Sequence, residues 1–269
     1  MNRNYKWRWA HVDQSEGADR YVALLNRLRP GDDPEHFPNT LVWIDAQHGE
    51  RILEVGCGNG AVARAVVRAV PGISQLVAVD ASARMIAEAK HQSAHDLPVS
   101  FEVADVHHLP FPDASFDRCY AMETFVILPD PYQALRELVR VTRPGGNLCL
   151  WESDCDARAM LSSDLDLSRR LTRFVGDREF NGAVGRQLIG WLKDLGWEID
   201  VVPAVSINDG SGFLTNWLLD EWLADAMGAG VITPEEMDSF LAEMSARQAN
   251  GSFFSYIVNF RITARKPER

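Results

Sequence analysis

Between residues 51 and 151, short runs of apolar and β-branched residues alternate with stretches whose apolar positions recur every three or four residues. Arg51-Ile52-Leu53-Glu54-Val55 reads as a buried strand. From Gly60 to Val70, the positions of Ala61, Val62, Ala65, Val66 and Ala69 trace one helical face, and Pro71-Gly72 stops it. Residues 75–79 predict a second strand, and Ser82 offers its hydroxyl as N-cap to a helix running to about residue 95. Residues 99–104 and 116–122 predict the third and fourth strands. A helix over 131–142 carries Leu135, Leu138 and Val139 on one face; Pro144-Gly145-Gly146 then turns the chain into a fifth strand, 147–151. This alternation predicts a parallel sheet with helices on both faces, because parallel neighbours need a long crossover. Right-handed crossovers leave few topologies.

The second half has a different rhythm. Residues 153–183 are polar and helical in part, 184–195 form a helix stopped by Gly196, 197–205 a sixth strand and 208–212 a loop. Residues 213–248 hold two helices. The second begins at Thr233-Pro234-Glu235-Glu236, with threonine as N-cap and proline in the first helical position. A long strand covers 253–265. No internal repeat or low-complexity tract interrupts the chain.

Composition narrows the classes. The chain has 269 residues, 46% of them hydrophobic and 24% charged, which suits a globular core. No stretch approaches the roughly 18 uninterrupted apolar residues of a membrane helix, so no membrane partner is expected. The N-terminal Met1-Asn2-Arg3-Asn4-Tyr5-Lys6-Trp7-Arg8-Trp9 lacks the apolar run of a secretory signal, and a cytoplasmic location is expected. The formal net charge is −11, and no long basic stripe offsets it, which disfavours nucleic acid as a partner. The cysteines, Cys57, Cys119, Cys149 and Cys155, contain no C-x-x-C pair, and no metal site is expected. Monomer and homodimer both remain open.

The densest chemical signal is Glu54-Val55-Gly56-Cys57-Gly58-Asn59-Gly60, a buried strand running into a glycine-rich turn and then a helix. Glycines permit positive φ and let a ligand approach the backbone, and the helix start adds unpaired N–H groups. The dinucleotide fingerprint is G-x-G-x-x-G, whereas this chain has G-x-G-x-G with an acid two residues ahead. Further acids end the second and third strands, in Val79-Asp80-Ala81-Ser82 and Ala104-Asp105-Val106. His107-His108-Leu109-Pro110-Phe111, Ser115-Phe116-Asp117 and Leu138-Val139-Arg140-Val141-Thr142-Arg143-Pro144-Gly145-Gly146 follow in register.

Together these motifs resemble the class I S-adenosylmethionine-dependent methyltransferases, above all their quinone and natural-product members, over about residues 45–152. The resemblance implies a Rossmann-like α/β fold: a mostly parallel sheet of seven strands, helices on both faces, the last strand antiparallel and inserted beside the sixth, and helical cap insertions. It implies one domain, with an N-terminal helical lid over 1–45 and a cofactor-binding core over 46–152. Cap segments would cover 153–183 and 206–250, and the rest of the sheet 184–205 and 251–269. The implied cofactor is S-adenosyl-L-methionine, released as S-adenosyl-L-homocysteine. Glu54, Gly56, Cys57, Gly58 and Gly60 would form the turn that holds it. Asp80, beside Ala81 and Met85, would accept the ribose hydroxyls. Asp105, flanked by Ala104, would accept from the adenine amino group, the Val106 N–H would meet a ring nitrogen, and Met122 would close the pocket.

Candidates outside the cofactor pocket are fewer. Glu123 stands at the crevice end of strand four, as either a catalytic acid or a solvated loop residue. His11 is a second candidate base; His107 and His108 are weaker ones, because neighbours on a surface loop usually point apart. Tyr5, Trp7 and Trp9 form an aromatic cluster that either covers the acceptor or packs on the sheet edge. Arg186 either binds an acidic or carbonyl group of the acceptor or forms a structural ion pair. Trp217, among the later helices, either lines an apolar pocket or packs as core. The expected activity is methyl transfer to a small apolar or aromatic metabolite, by O-, N- or C-methylation. Two rivals stand beside it: a non-methylating rearrangement or cyclisation on the same cofactor, and a nucleotide-dependent oxidoreductase.

Overall fold

In the computed structural model the structure describes residues 12–14, 18–28, 33–94, 96–177, 181–208 and 217–268. The strands are β1 (Arg51–Val55), β2 (Gln75–Asp80), β3 (Val99–Val103), β4 (Phe116–Met122), β5 (Thr142–Met160), β6 (Glu198–Asn208) and β7 (Ser255–Arg265). They form one seven-stranded sheet in the order β3-β2-β1-β4-β5-β7-β6. The first five are mutually parallel, and β7 runs antiparallel to both β5 and β6. The order reverses between β1 and β4. In an open sheet that reversal opens a crevice at the carboxyl ends of the strands.

Period-two alternation sorts the side chains of the parallel strands. Leu53, Val55, Val77, Val79, Cys119, Ala121, Leu148 and Leu150 face one core, completed by α5 (Pro131–Val141) and α7 (Val184–Asp194). Ile52, Leu76, Ala78, Tyr120 and Cys149 face the other, under α2 (Pro38–Ile44), α3 (Ala61–Ala69) and α4 (Ala83–His91). Helix α1 (Ala18–Leu28) precedes these and sets Tyr21 against Met85 of α4. Burial on both faces is why these strands read as near-continuous apolar runs.

Three further helices, α6 (Leu165–Gly176), α8 (Trp217–Gly228) and α9 (Pro234–Ala249), bury Leu171, Leu223, Phe240 and Met244 in a third cluster. Helix α9 starts on a complete capping box: the Thr233 side chain accepts from the Glu236 N–H, and the Glu236 carboxylate accepts from the Thr233 N–H. Thr233→Ala is expected to cost about 1 kcal/mol, read as a lower urea midpoint with an unchanged slope.

The structure departs from the sequence expectation in β5. The predicted strand 147–151 is the middle of a much longer one. Pro144, Gly145 and Gly146 are absorbed into it by a register shift, Phe116 pairing with Thr142 and Arg118 with Asn147. Its far end runs on to Met160, opposite Ser255 of β7. Residues 153–160 are therefore strand, and helix begins only at Leu165. Helix α4 ends at His91 rather than near 95.

Candidate functional site

β1 feeds the glycine turn at the mouth of the crevice. Gly56, Gly58 and Gly60 all have positive φ, +69°, +53° and +72°. At Gly60 an added Cβ would lie 2.5 Å from Phe101, and at Gly56 2.3 Å from Thr124, so both close approach and backbone conformation demand glycine. The Cys57 N–H donates to the Val79 carbonyl at 3.0 Å, hooking the turn to β2. Asp80 then braces it from the end of β2. One carboxylate oxygen accepts the Gly58 N–H at 2.9 Å, and the other accepts the Ser82 N–H at 2.9 Å. Burial pushes the Asp80 carboxyl up, and the two N–H bonds partly offset it.

A cavity of about 580 Å³ opens above this turn, within the roughly 300–1,000 Å³ typical of small-ligand sites. One end is walled by Gly56, Gly58, Asp80, Ala81, Met85, Ala104, Asp105 and Val106. The other is walled by Met122, Glu123, Val126, Ile127, Leu128, Pro129, Ser153, Cys155 and Arg158. Three of the residues expected at the cofactor do not line it. Glu54 is buried beneath the turn, where it accepts the Tyr120 hydroxyl at 3.0 Å. Cys57 packs in the apolar core, and burial pushes its thiol well up. Gly60 caps α3.

Asp105 carries an unforeseen partner. Its Oδ1 accepts the His107 N–H at 2.9 Å and lies 2.6 Å from the His107 ring Nδ1. Although partial burial raises its pKa, the bonds and charge of His107 outweigh this and hold the carboxyl below its ordinary range. His107 lines the cavity, whereas His108 points to solvent. The short 3-10 helix Val12–Gln14 also reaches the site. Asp13 accepts the Ser82 hydroxyl at 2.5 Å and the Ala83 N–H at 2.8 Å, while Ser82 accepts from the Met85 N–H at 3.1 Å. The N-terminus of α4 is thus doubly capped, and Val12 and Asp13 become part of the cavity wall.

At the other end, Glu123 sits in left-handed backbone, φ +54°. Its N–H donates to the Trp151 carbonyl at 2.8 Å, and its carboxylate lies 2.6 Å from Ser153 Oγ. Ser153 Oγ is also 2.7 Å from the side-chain amide of Asn259 on β7. Below lies Glu152, fully buried. Its carboxylate accepts the N–H groups of Thr124, Phe125 and Val126 at 3.0, 2.9 and 3.2 Å, fixing the segment that carries the apolar wall. Burial, and then the charge of Glu123, push the Glu152 carboxyl up to about 8.

Arg186 opens α7 away from the cavity wall and pairs with Asp154 at 2.8 Å and Asp156 at 2.6 Å. Trp217 begins α8; the placement of its side chain, like Tyr5, Trp7, Trp9 and His11, lies outside the described residues. Asp13, Glu152, Ser153 and Arg158 also belong to the site, at or beneath the cavity wall, without a signature in the sequence. None belongs to a local motif, and only the polar continuation of β5 hinted at the last three.

A glycine turn between β1 and α3, acids at the ends of β2 and β3, and an antiparallel β7 between β5 and β6 define a Rossmann-like architecture with a nucleotide-sized crevice. A family model described as "Methyltransferase domain" matches residues 53–150. An O-methyltransferase of Aspergillus nomiae is 32% identical over 158 residues, covering 52% of this chain and 70% of the relative. The 37.1 kDa protein in transposon TN4556 of Streptomyces fradiae is 34% identical over 189 residues, 69% of this chain but only 55% of the relative. Phosphoethanolamine N-methyltransferase 2 of Haemonchus contortus shares the fold, with TM-score 0.61 at 19% identity over 95% of this chain and 59% of that one. The chain belongs to the class I S-adenosylmethionine-dependent methyltransferase family.

Proposed function

We propose that this protein transfers a methyl group from S-adenosylmethionine to a small acceptor, an apolar or aromatic metabolite, held between β4 and β5. The observation that carries the reading is one continuous cavity with the glycine turn, Asp80 and Asp105 at one end and an apolar wall beside Glu123 at the other. Its size and its pair of acids fit a nucleoside cofactor. Asp80 would accept the ribose hydroxyls, Asp105 and the Val106 N–H would hold the adenine, and the turn at Gly56 and Gly58 would pass beneath the amino-acid part. When bound, the cofactor supplies a methyl group activated by a sulfonium.

The protein's own work is placement. Met122, Val126, Ile127, Leu128 and Pro129 exclude water around the acceptor. Glu123, held by Ser153, is the group in that end placed to take a proton from an acceptor hydroxyl or amine. The Haemonchus enzyme was solved with phosphomonomethylethanolamine and S-adenosylhomocysteine; those ligands are that protein's.

A thermal-shift series tests the proposal. At a hundredfold excess over its dissociation constant, S-adenosylmethionine should raise Tm by about 5–10 °C, since such linkage supplies about 2.7 kcal/mol, and NAD should not. Protection by NAD alone would turn the reading toward an oxidoreductase. Release of S-adenosylhomocysteine with hydroxylated aromatic acceptors then separates methyl transfer from a non-methylating reaction.

A further inference from the structure

We propose that Arg158 makes the acceptor end of the cavity a site for an organic acid, an apolar or aromatic molecule held by its carboxylate. The inference rests on the methyltransferase reading for calling that molecule the acceptor.

Arg158 reaches the site through an irregularity in the sheet. Along the β5–β7 pair, Asp154 stands opposite Val258, yet Arg158 stands opposite Ile257, so residues 155–157 bulge out of the ladder. Such bulges re-aim side chains. Here the result is that Arg158 lines the cavity with Glu123 and Ser153.

Asp154 and Asp156, the acids nearest in sequence, are both engaged by Arg186. Among the described residues Arg158 has no ion pair; its Nε is buried without a hydrogen-bond partner, and its guanidinium lies over the Trp222 ring at 5.5 Å from the centroid. A half-buried guanidinium gives up part of its hydration and is commonly paired with an anion. The cation–π contact with the indole compensates part of that cost and uses none of the N–H groups of the fork. A planar fork backed by an aromatic face suits a carboxylate, which it can grip bidentately.

Arg158 and Glu123 also give this end of the cavity a polarity. An acid substrate is drawn to the guanidinium and repelled by Glu123, so its reacting group and its carboxylate are held at different places. In a protein of net charge −11 the overall field repels anions, and among the described residues that line the cavity Arg158 is the arginine or lysine able to hold one.

Calorimetric titration with octanoate, benzoate and cinnamate, each beside its uncharged amide, tests the idea. Titrations are run on the free protein and on protein saturated with S-adenosylhomocysteine. At least one acid should bind about tenfold or more tightly than its amide, and Arg158→Met should erase that preference while leaving the amide unchanged. Arg158→Lys, which keeps the charge but not the fork, should restore part of it. If Arg158→Met lowers the yield of folded protein, Arg158→Lys against the parent gives the same ranking. Equal binding of acids and amides, absence of binding by any acid, or an acid preference that survives in Arg158→Met overturns the proposal. The heat of S-adenosylhomocysteine binding, measured first, reports on the cofactor reading separately: a chain that binds the nucleoside but ignores the acids refutes only the role of Arg158.

Discussion

Asp80→Ala is expected to weaken S-adenosylmethionine binding by at least about a hundredfold. Hydrogen bonds to a charged group contribute about 1.5–3 kcal/mol each, and under the proposed function this carboxylate would serve the ribose while it already holds the turn. Losing it removes the acceptor for the Gly58 and Ser82 N–H groups together, so the glycine turn loosens as well as losing its ligand contact. Asp80→Asn keeps the shape but presents an N–H to one of two donors, and should fall between alanine and the parent. Calorimetry with the nucleoside measures the effect; far-UV circular dichroism confirms that the sheet is intact. Parent-like affinity in a folded Asp80→Ala would remove the basis for placing the cofactor there.

Glu152→Ala should be the most damaging single change to stability outside the apolar cores, about 3–5 kcal/mol. It would leave three buried N–H groups, those of Thr124, Phe125 and Val126, without an acceptor. Glu152→Gln retains one oxygen for the two shorter bonds and should cost less. The same residue gives stability a pH dependence. In the folded protein burial and Glu123 hold its carboxyl up at about 8, whereas in the unfolded chain it titrates near 4.5, its ordinary value. The folded state therefore binds more protons between these limits, so this contribution is complete below about pH 4.5 and is lost as pH rises toward 8. Glu123→Gln removes the like charge, lowers the Glu152 pKa and should flatten the slope. Urea midpoints at pH 5.5 and 8 for both proteins measure it; parallel curves would contradict the coupling.

The core of the fold was legible because its strands are buried on both faces and its turns are punctuated by glycine and proline. Arg51–Val55 and Phe116–Met122 coincide with their predicted bounds, and Ser82 and Thr233 cap the helices expected of them. The extension of β5 was not legible. Residues 153–160 carry Ser153, Asp154, Asp156 and Arg158, a polar run that becomes strand only because β7 supplies an antiparallel partner. At the site, Asp80 and Asp105 announced themselves as acids ending strands. Glu54 carried the same kind of signal, yet it is buried against Tyr120. Asp13 and Glu152 act across 69 and 28 residues of chain, on groups that no local pattern associates with them. The position of Glu123 after strand four is visible in the sequence, but its left-handed backbone emerges only in three dimensions.

The order β5-β7-β6 has a consequence for assembly. β6 touches the sheet only through a strand that lies nearly fifty residues further along the chain, so it has nothing to zip onto while the growing polypeptide is still short of β7. Until residues 255–265 arrive, β5 presents a long bare margin able to recruit a stranger. Trimming the chain back into that stretch would remove a keystone rather than a fringe: β6 would come away with it, and β5 would keep only its pairing with β4.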